Sequence, residues 1–338
     1  MRPIASVLAP LAMSILLAGC GKTAPQSAGA DPPAQPGTPS VTTPEASAGT
    51  TDLLPVADSA PKGVLNGRLA FERDTDIYVI WPNGSGLKAL TTTMNQNELG
   101  PAWNAAGTQI AFWQASVAGG PGSIWTMNSD GTRQRRLTTG IDARDPVWNP
   151  DGTRIAFTMV DPSGFHLWTM RASDGADRRQ ITSGPGLDFE PAWSPDGTRL
   201  AFTRGLEEGD PGDIYVINLE TAKIAQLTHS PAYDLDVAWS PDSTRIVFER
   251  ESGGSASIQM IDADGSRETG LTSGTYYDTG PTFSPDGRYI AFGRYREGVI
   301  PGDLWTMTAD GQQLHSILQS LVTEGFPDWQ PLRGAIPR

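Results

Sequence analysis

Five carboxylates stand at one recurring place in this sequence: Glu98, Asp188, Asp234, Asp278 and Glu324 each lie three residues ahead of a Pro-x-Trp-like segment. Where Ala143 occupies the same place, Asp142 and Asp145 flank it. Carboxylates brought together in a circle would offer hard oxygen ligands to a cation such as Ca²⁺, or complementary charge to a Lys/Arg-rich segment of a partner protein. Paired carboxylates also serve glycoside hydrolysis when their separation is right. The alternative is architectural: each carboxylate accepts backbone hydrogen bonds from its own turn. Other chemistry is thinly supplied. His166, His229 and His315 fall at different places in the repeat and are not expected to converge, and no Gly-x-Ser-x-Gly elbow occurs. Trp113, Phe165, Tyr276, Tyr277, Tyr295 and Arg296 lie in variable segments where a peptide or glycan platform could form. Among them Tyr276 and Tyr277, in "TYYD" beside Asp278, are the best loop-face candidates.

The elements that must position these groups are visible as a repeat. "PAWNAAGTQIAF" (101–112), "PVWNPDGTRIAF" (146–157), "PAWSPDGTRLAF" (191–202), "VAWSPDSTRIVF" (237–248) and "PTFSPDGRYIAF" (281–292) begin 45, 45, 46 and 44 residues apart. Each reads as strand, tight turn and strand. Pro presets φ at the second turn position and Gly takes the left-handed one, while the segment after the turn alternates with period two. A third strand of the type "IWTM" and a fourth ending in "LT" complete four antiparallel strands, and a period near 45 points to the blades of an all-β propeller. "FPDWQP" (326–331) is in register as another first strand, with Pro327 46 residues after Pro281. Its missing companions stand at the beginning: "GRLAF" (67–71), "DIYVI" (76–80) and "LKALT" (87–91). The chain is thus expected to form a six-bladed β-propeller over 63–331, the carboxyl-terminal strand closing the first blade. The acids would then circle the channel mouth on the face carrying the long loops.

The repeat Pro-x-Trp-Ser-Pro-Asp-Gly-x-x-Ile-Ala-Phe, followed by Ile-Tyr-x-x and Leu-Thr, resembles that of the TolB-like propellers, relatives of the WD-type repeats. The resemblance covers 63–331. Individual copies depart from it: "NAAG" (104–107) lacks Pro and Asp, and Ser243 stands where a left-handed glycine is expected.

The first 19 residues, with Arg2 ahead of an apolar stretch, have the layout of a secretory signal peptide. Pro3 and Pro10 interrupt that stretch, which speaks against the alternative of a membrane-spanning or buried helix. Its ending, Leu17-Ala18-Gly19-Cys20, resembles the lipobox of bacterial lipoproteins, which implies lipidation of Cys20 and anchoring in the cell envelope. Gly21 after the cysteine, by the same resemblance, favours the outer membrane facing the periplasm in a Gram-negative cell. Residues 20–62 carry the lipidated cysteine and a Pro/Ala/Ser/Thr linker with no aromatic residue. Such a segment cannot bury enough apolar surface to order itself and would span roughly 35–40 Å as a coil. Residues 332–338 form a short tail. A net charge of −13 opposes nucleic-acid binding and leaves cationic partners open. The residues together point to a monomeric, non-catalytic, lipid-anchored scaffold that binds an envelope protein, peptide or glycan on its loop face, without a cofactor other than Ca²⁺ at the channel mouth. The competing reading is an envelope hydrolase or lyase acting on carbohydrate or peptide through the acidic channel.

Overall fold

A computed structural model describes residues 67–331 apart from 163, 206–210, 297, 298 and 321. The signal peptide, Cys20, the linker and the tail all lie outside the described residues. Within them the chain is all-β, with no helix.

Turn chemistry sets the meanders. In the copy at 194–197, Ser194 Oγ donates to Asp196 Oδ1 at 2.6 Å and accepts from the Arg199 amide at 3.0 Å. Asp196 Oδ1 also accepts from the Thr198 amide at 2.9 Å, so one side chain organises the whole reversal. The turn closes through a left-handed residue: φ is 63° at Gly107, 73° at Gly152, 75° at Gly197 and 70° at Gly287. Ser243 takes the same conformation with φ 60°, as its place in the repeat requires.

The first sheet contains β1 (Leu69–Arg73), β2 (Asp76–Ile80) and β3 (Lys88–Ala89). The second consists of β4 (Gln96–Trp103), β5 (Gln109–Ser116), β6 (Ser123–Asn128) and β7 (Arg135–Arg136). The third is β8 (Asp142–Trp148), β9 (Arg154–Asp161), β10 (Gly164–Arg171) and β11 (Arg179–Gln180). The fourth is β12 (Leu187–Trp193), β13 (Arg199–Gly205), β14 (Asp213–Asn218) and β15 (Ile224–Gln226). A fifth meander holds β16 (Tyr233–Trp239), β17 (Arg245–Ser252), β18 (Ser255–Asp262) and β19 (Thr269–Gly270). The sixth holds β20 (Tyr276–Phe283), β21 (Tyr289–Arg296), β22 (Val299–Thr308) and β23 (His315–Leu318). Finally, β24 (Glu324–Trp329) pairs antiparallel with β1, placing Leu69 opposite Trp329.

Six separate sheets were the expectation from the repeat; the structure has four of four strands and one of eight. The difference is local. A parallel bridge between Ala256 in β18 and Tyr277 in β20 joins the fifth and sixth meanders.

The Ile-Ala-Phe strands build the core by alternation. Ile110 and Phe112 pack back against Ala70, Ile77 and Val79 of the first sheet. Ala111, pointing the other way, packs forward with Ala143, Trp148 and Ile155 of the third. The same arrangement continues from meander to meander through further apolar clusters. The sixth then meets the first, with Ala291, Leu304 and Ile317 against Leu69, Phe71 and Trp329. Phe71, Phe112, Phe157, Phe202, Phe248 and Phe292 are fully buried, each contributing about 1.5–3 kcal/mol. At the centre β4, β8, β12, β16, β20 and β24 each touch the next, and β24 touches β4. The arrangement is propeller-like.

Candidate functional site

The predicted acids lie inside the innermost strands, not ahead of them. Asp142 and Glu324 are the first residues of β8 and β24, and Asp188, Asp234, Asp278 and Glu98 lie further in. The strands reach this far because each carries a bulge two residues later, where the register with its neighbour shifts. The bulge residue is left-handed in every meander: φ is 56° at Gly100, 51° at Asp145, 53° at Glu190, 51° at Asp236, 57° at Gly280 and 48° at Phe326. Only two of these are glycine, so the conformation is imposed on Glu190 and Phe326 against their preference.

Most of the predicted acids are neutralised where they stand. Asp188 is directly opposite Arg204, which donates to both carboxylate oxygens at 2.5 and 2.8 Å. Asp234 takes Arg250 at 2.6 and 2.8 Å, and Asp278 takes Arg294 at 2.6 and 2.8 Å. Glu324 has Arg73 at 3.2 Å and accepts from Ser320 Oγ at 2.5 Å. In the second sheet Gln114 replaces the arginine, donating to Glu98 at 2.8 Å and leaving Glu98 Oε2 without a partner. The third sheet has the apolar pair Ala143 and Met159 in register instead, and Asp142 is held by Arg144 of its own strand at 3.0 and 2.8 Å. The partner is thus an arginine on the adjacent strand more often than the backbone of the acid's own turn. Burial pushes Glu98 up to about 7, against the hydrogen bond from Gln114, and Glu324 up to about 7, against Ser320 and Arg73. Drawn to separate partners, these carboxylates do not converge as a Ca²⁺ site would require. No group of three or more His, Cys, Asp or Glu among the described residues is arranged to hold a metal ion.

A second set of acids is different, and of these only Asp145 stood out in the sequence. Asp145, Glu190 and Asp236 occupy left-handed bulge positions, and Glu72 and Glu249 reach toward them from β1 and β17. Their mutual repulsion extends from the first sheet through the third and fourth to the fifth meander, which places them around the axis. Glu72 accepts from the Gly100 amide at 2.6 Å, and Glu190 from the Asp236 amide at 3.0 Å. Asp236 and Glu249 each raise or temper the other's titration, so the two carboxyl groups are neighbours. Burial first, and like charge second, raises Glu190 well above the usual carboxylate range; burial and then Glu249 do the same to Asp236. Burial moves Glu72 and Glu249 to about 8. None of the five makes an ion pair among the described residues. The repeat did contain their signal. The residue just before Pro-x-Trp is Gly100, Asp145, Glu190, Asp236, Gly280 or Phe326, and glycine at two of these places marks a backbone bend.

The aromatic candidates separate. Tyr277 is 2% exposed and stacks on Tyr295, its register partner, with ring centroids 4.9 Å apart, so it belongs to the packing of the sixth meander. Tyr276 keeps partial exposure and accepts a 2.6 Å hydrogen bond from Arg296. Trp113 is buried in β5, and Phe165 meets Phe189 edge-on at 6.5 Å. His166 is buried in β10, His229 is exposed between β15 and β16, and His315 lies in β23, so the histidines stand in separate parts of the fold.

Residues 142–333 match the family model described as the TolB beta propeller domain. None of the curated proteins matches the chain. Among solved structures the chain resembles TolB from Acinetobacter baumannii, with 22% identity, a TM-score of 0.68, and 79% of this chain and 67% of that one covered. It also resembles a putative TolB from Agrobacterium tumefaciens, with 21% identity, a TM-score of 0.61 and coverage of 77% and 91%. Hydrazine synthase of Kuenenia stuttgartiensis shares the fold at 15% identity and a TM-score of 0.64, over 79% of this chain and 47% of that one.

Proposed function

The chain belongs to the TolB beta propeller family, and from that premise we propose that it is a six-bladed, lipid-anchored scaffold of the bacterial cell envelope whose axial acids receive a basic segment of a partner protein. The carrying observation is the contrast in compensation: the five axial carboxylates make no ion pair among the described residues, Arg144 beside Asp145 being paired with Asp142, while acids beside them on the same strands have one. A Lys- or Arg-bearing segment entering along the axis would relieve their repulsion and restore the charged forms, which is a source of affinity. The overall charge of −13 would steer such a partner inward. In-cell crosslinking tests this reading. Glu190→Gln with Asp236→Asn should abolish capture of the partner while leaving the fold intact, and undiminished capture would contradict it.

Six blades are supported by the circle of innermost strands and by the apolar clusters linking each meander to the next. Deleting Phe326 onward removes all but the first two residues of β24 and should broaden or abolish the cooperative melt; an unchanged melt would refute closure through that strand. Anchoring rests on the lipobox-like "LAGC" alone. Cys20→Ser should move the protein from the membrane to the soluble fraction.

A further inference from the structure

At the start of the second strand in each repeat stand Arg68, Gln109, Arg154, Arg199, Arg245 and Tyr289. Three of these arginines seal the seam to the next meander. The guanidinium of Arg68 lies 5.7 Å from the ring of Trp103, that of Arg199 4.6 Å from Trp239, and that of Arg245 5.8 Å from Phe283. Arg68 also donates to the Ser129 carbonyl at 3.0 Å, and Arg199 to the Ser243 carbonyl at 2.8 Å. Between the second and third sheets the plug is Gln109, too short to lie over Trp148. A cavity of about 400 Å³ opens there, lined by Gln109, Arg133, Arg135, Trp148 and Ser173 among others. Gly152 forms part of its wall, and a side chain at that glycine would meet open space.

We propose that this unplugged seam is a binding site for a small ligand bearing a carboxylate or phosphate group. Two arginines line it and no Asp or Glu does. The acids nearby are occupied in their own turns: Asp130 with the Thr132 amide and hydroxyl at 3.0 and 2.6 Å, Asp151 with those of Thr153 at 2.7 and 2.5 Å, and Asp174 with Arg171 at 2.9 Å. Arg135 reaches across to the Ser173 carbonyl, which ties the outer edge of the cavity together. Arg133, in a left-handed turn position with φ 55°, makes no ion pair among the described residues. Its guanidinium supplies the fork that oxyanions take up in two parallel hydrogen bonds. The site opens on the face of the tight turns, away from the long loops, and is independent of the axial acids. In a protein of net charge −13 it is a local reversal of sign.

The test is a titration of the full chain with inorganic phosphate and, separately, citrate at matched ionic strength, read from the indole N–H resonance of Trp148, which Trp148→Phe identifies. A saturable shift is expected with at least one probe, and the probe that binds distinguishes phosphate from carboxylate. Arg133→Gln with Arg135→Gln should weaken binding about tenfold or more, with a melting curve showing that the fold persists. Gln109→Arg should rebuild the plug, abolish the shift and raise the melting temperature. Absence of a saturable shift with both probes, or equal binding by the double variant or by Gln109→Arg, would overturn the proposal.

Discussion

Asp188 and Glu190 stand two residues apart on β12, and their surroundings oppose each other. Asp188 is 1% exposed and held by both arms of Arg204, so its charge is part of the framework. Glu190, partly exposed and left-handed, faces other carboxylates and a backbone amide. Asp234 and Asp236 repeat the contrast on β16. What distinguishes the two sets is not residue type or burial alone but the residue standing opposite across the register. An arginine there fixes a carboxylate; a bulge turns the next acid away to where no arginine waits.

The largest effect should come from breaking a framework pair. Arg250→Ala leaves Asp234, wholly buried, without its cation, and should cost about 3–5 kcal/mol in denaturant unfolding. A loss no larger than that of an exposed arginine would erase the distinction. Next comes pH. Glu72 and Glu249 have folded-state values raised to about 8 from an ordinary 4.5. A raised carboxylate contributes stability that is complete below the unfolded value and is lost as pH rises through the folded one. The melting temperature should therefore fall between pH 5 and pH 8.5, and Glu249→Gln should flatten that fall. In the opposite direction, hydrogen bonds from Ser194 and Thr198 overcome burial to hold Asp196 at about 2, so its contribution is lost only in strong acid. The smallest effect sharpens the comparison at the one framework acid facing a glutamine. Gln114→Arg gives Glu98 a cation, and should raise the melting temperature at pH 8 but little at pH 5, where burial keeps the Glu98 carboxyl protonated.

The framework was legible to a large degree. The tight turns, the alternating Ile-Ala-Phe strands, the left-handed Ser243 and the pairing of the final strand with the first all follow from local chemistry written in the repeat. Arginines sixteen residues after Asp188, Asp234 and Asp278 were also there to be read, because a short hairpin brings such positions face to face. Glu190 and Asp236 were hidden because a bulge changes which residues share a face, and only Gly100 and Gly280 advertised it. The joined fifth and sixth meanders depend on a single bridge from Ala256 to Tyr277, which no periodicity specifies.

The contrast between the two kinds of acid is tested most directly by the melting temperatures of Asp188→Asn and Glu190→Gln at pH 8. The first should melt well below the parent chain, since Arg204 loses its charged partner. The second should melt at or above it, since a repelled carboxylate has been removed. A lowering of similar size in both would contradict the division of these acids into framework and axial sets.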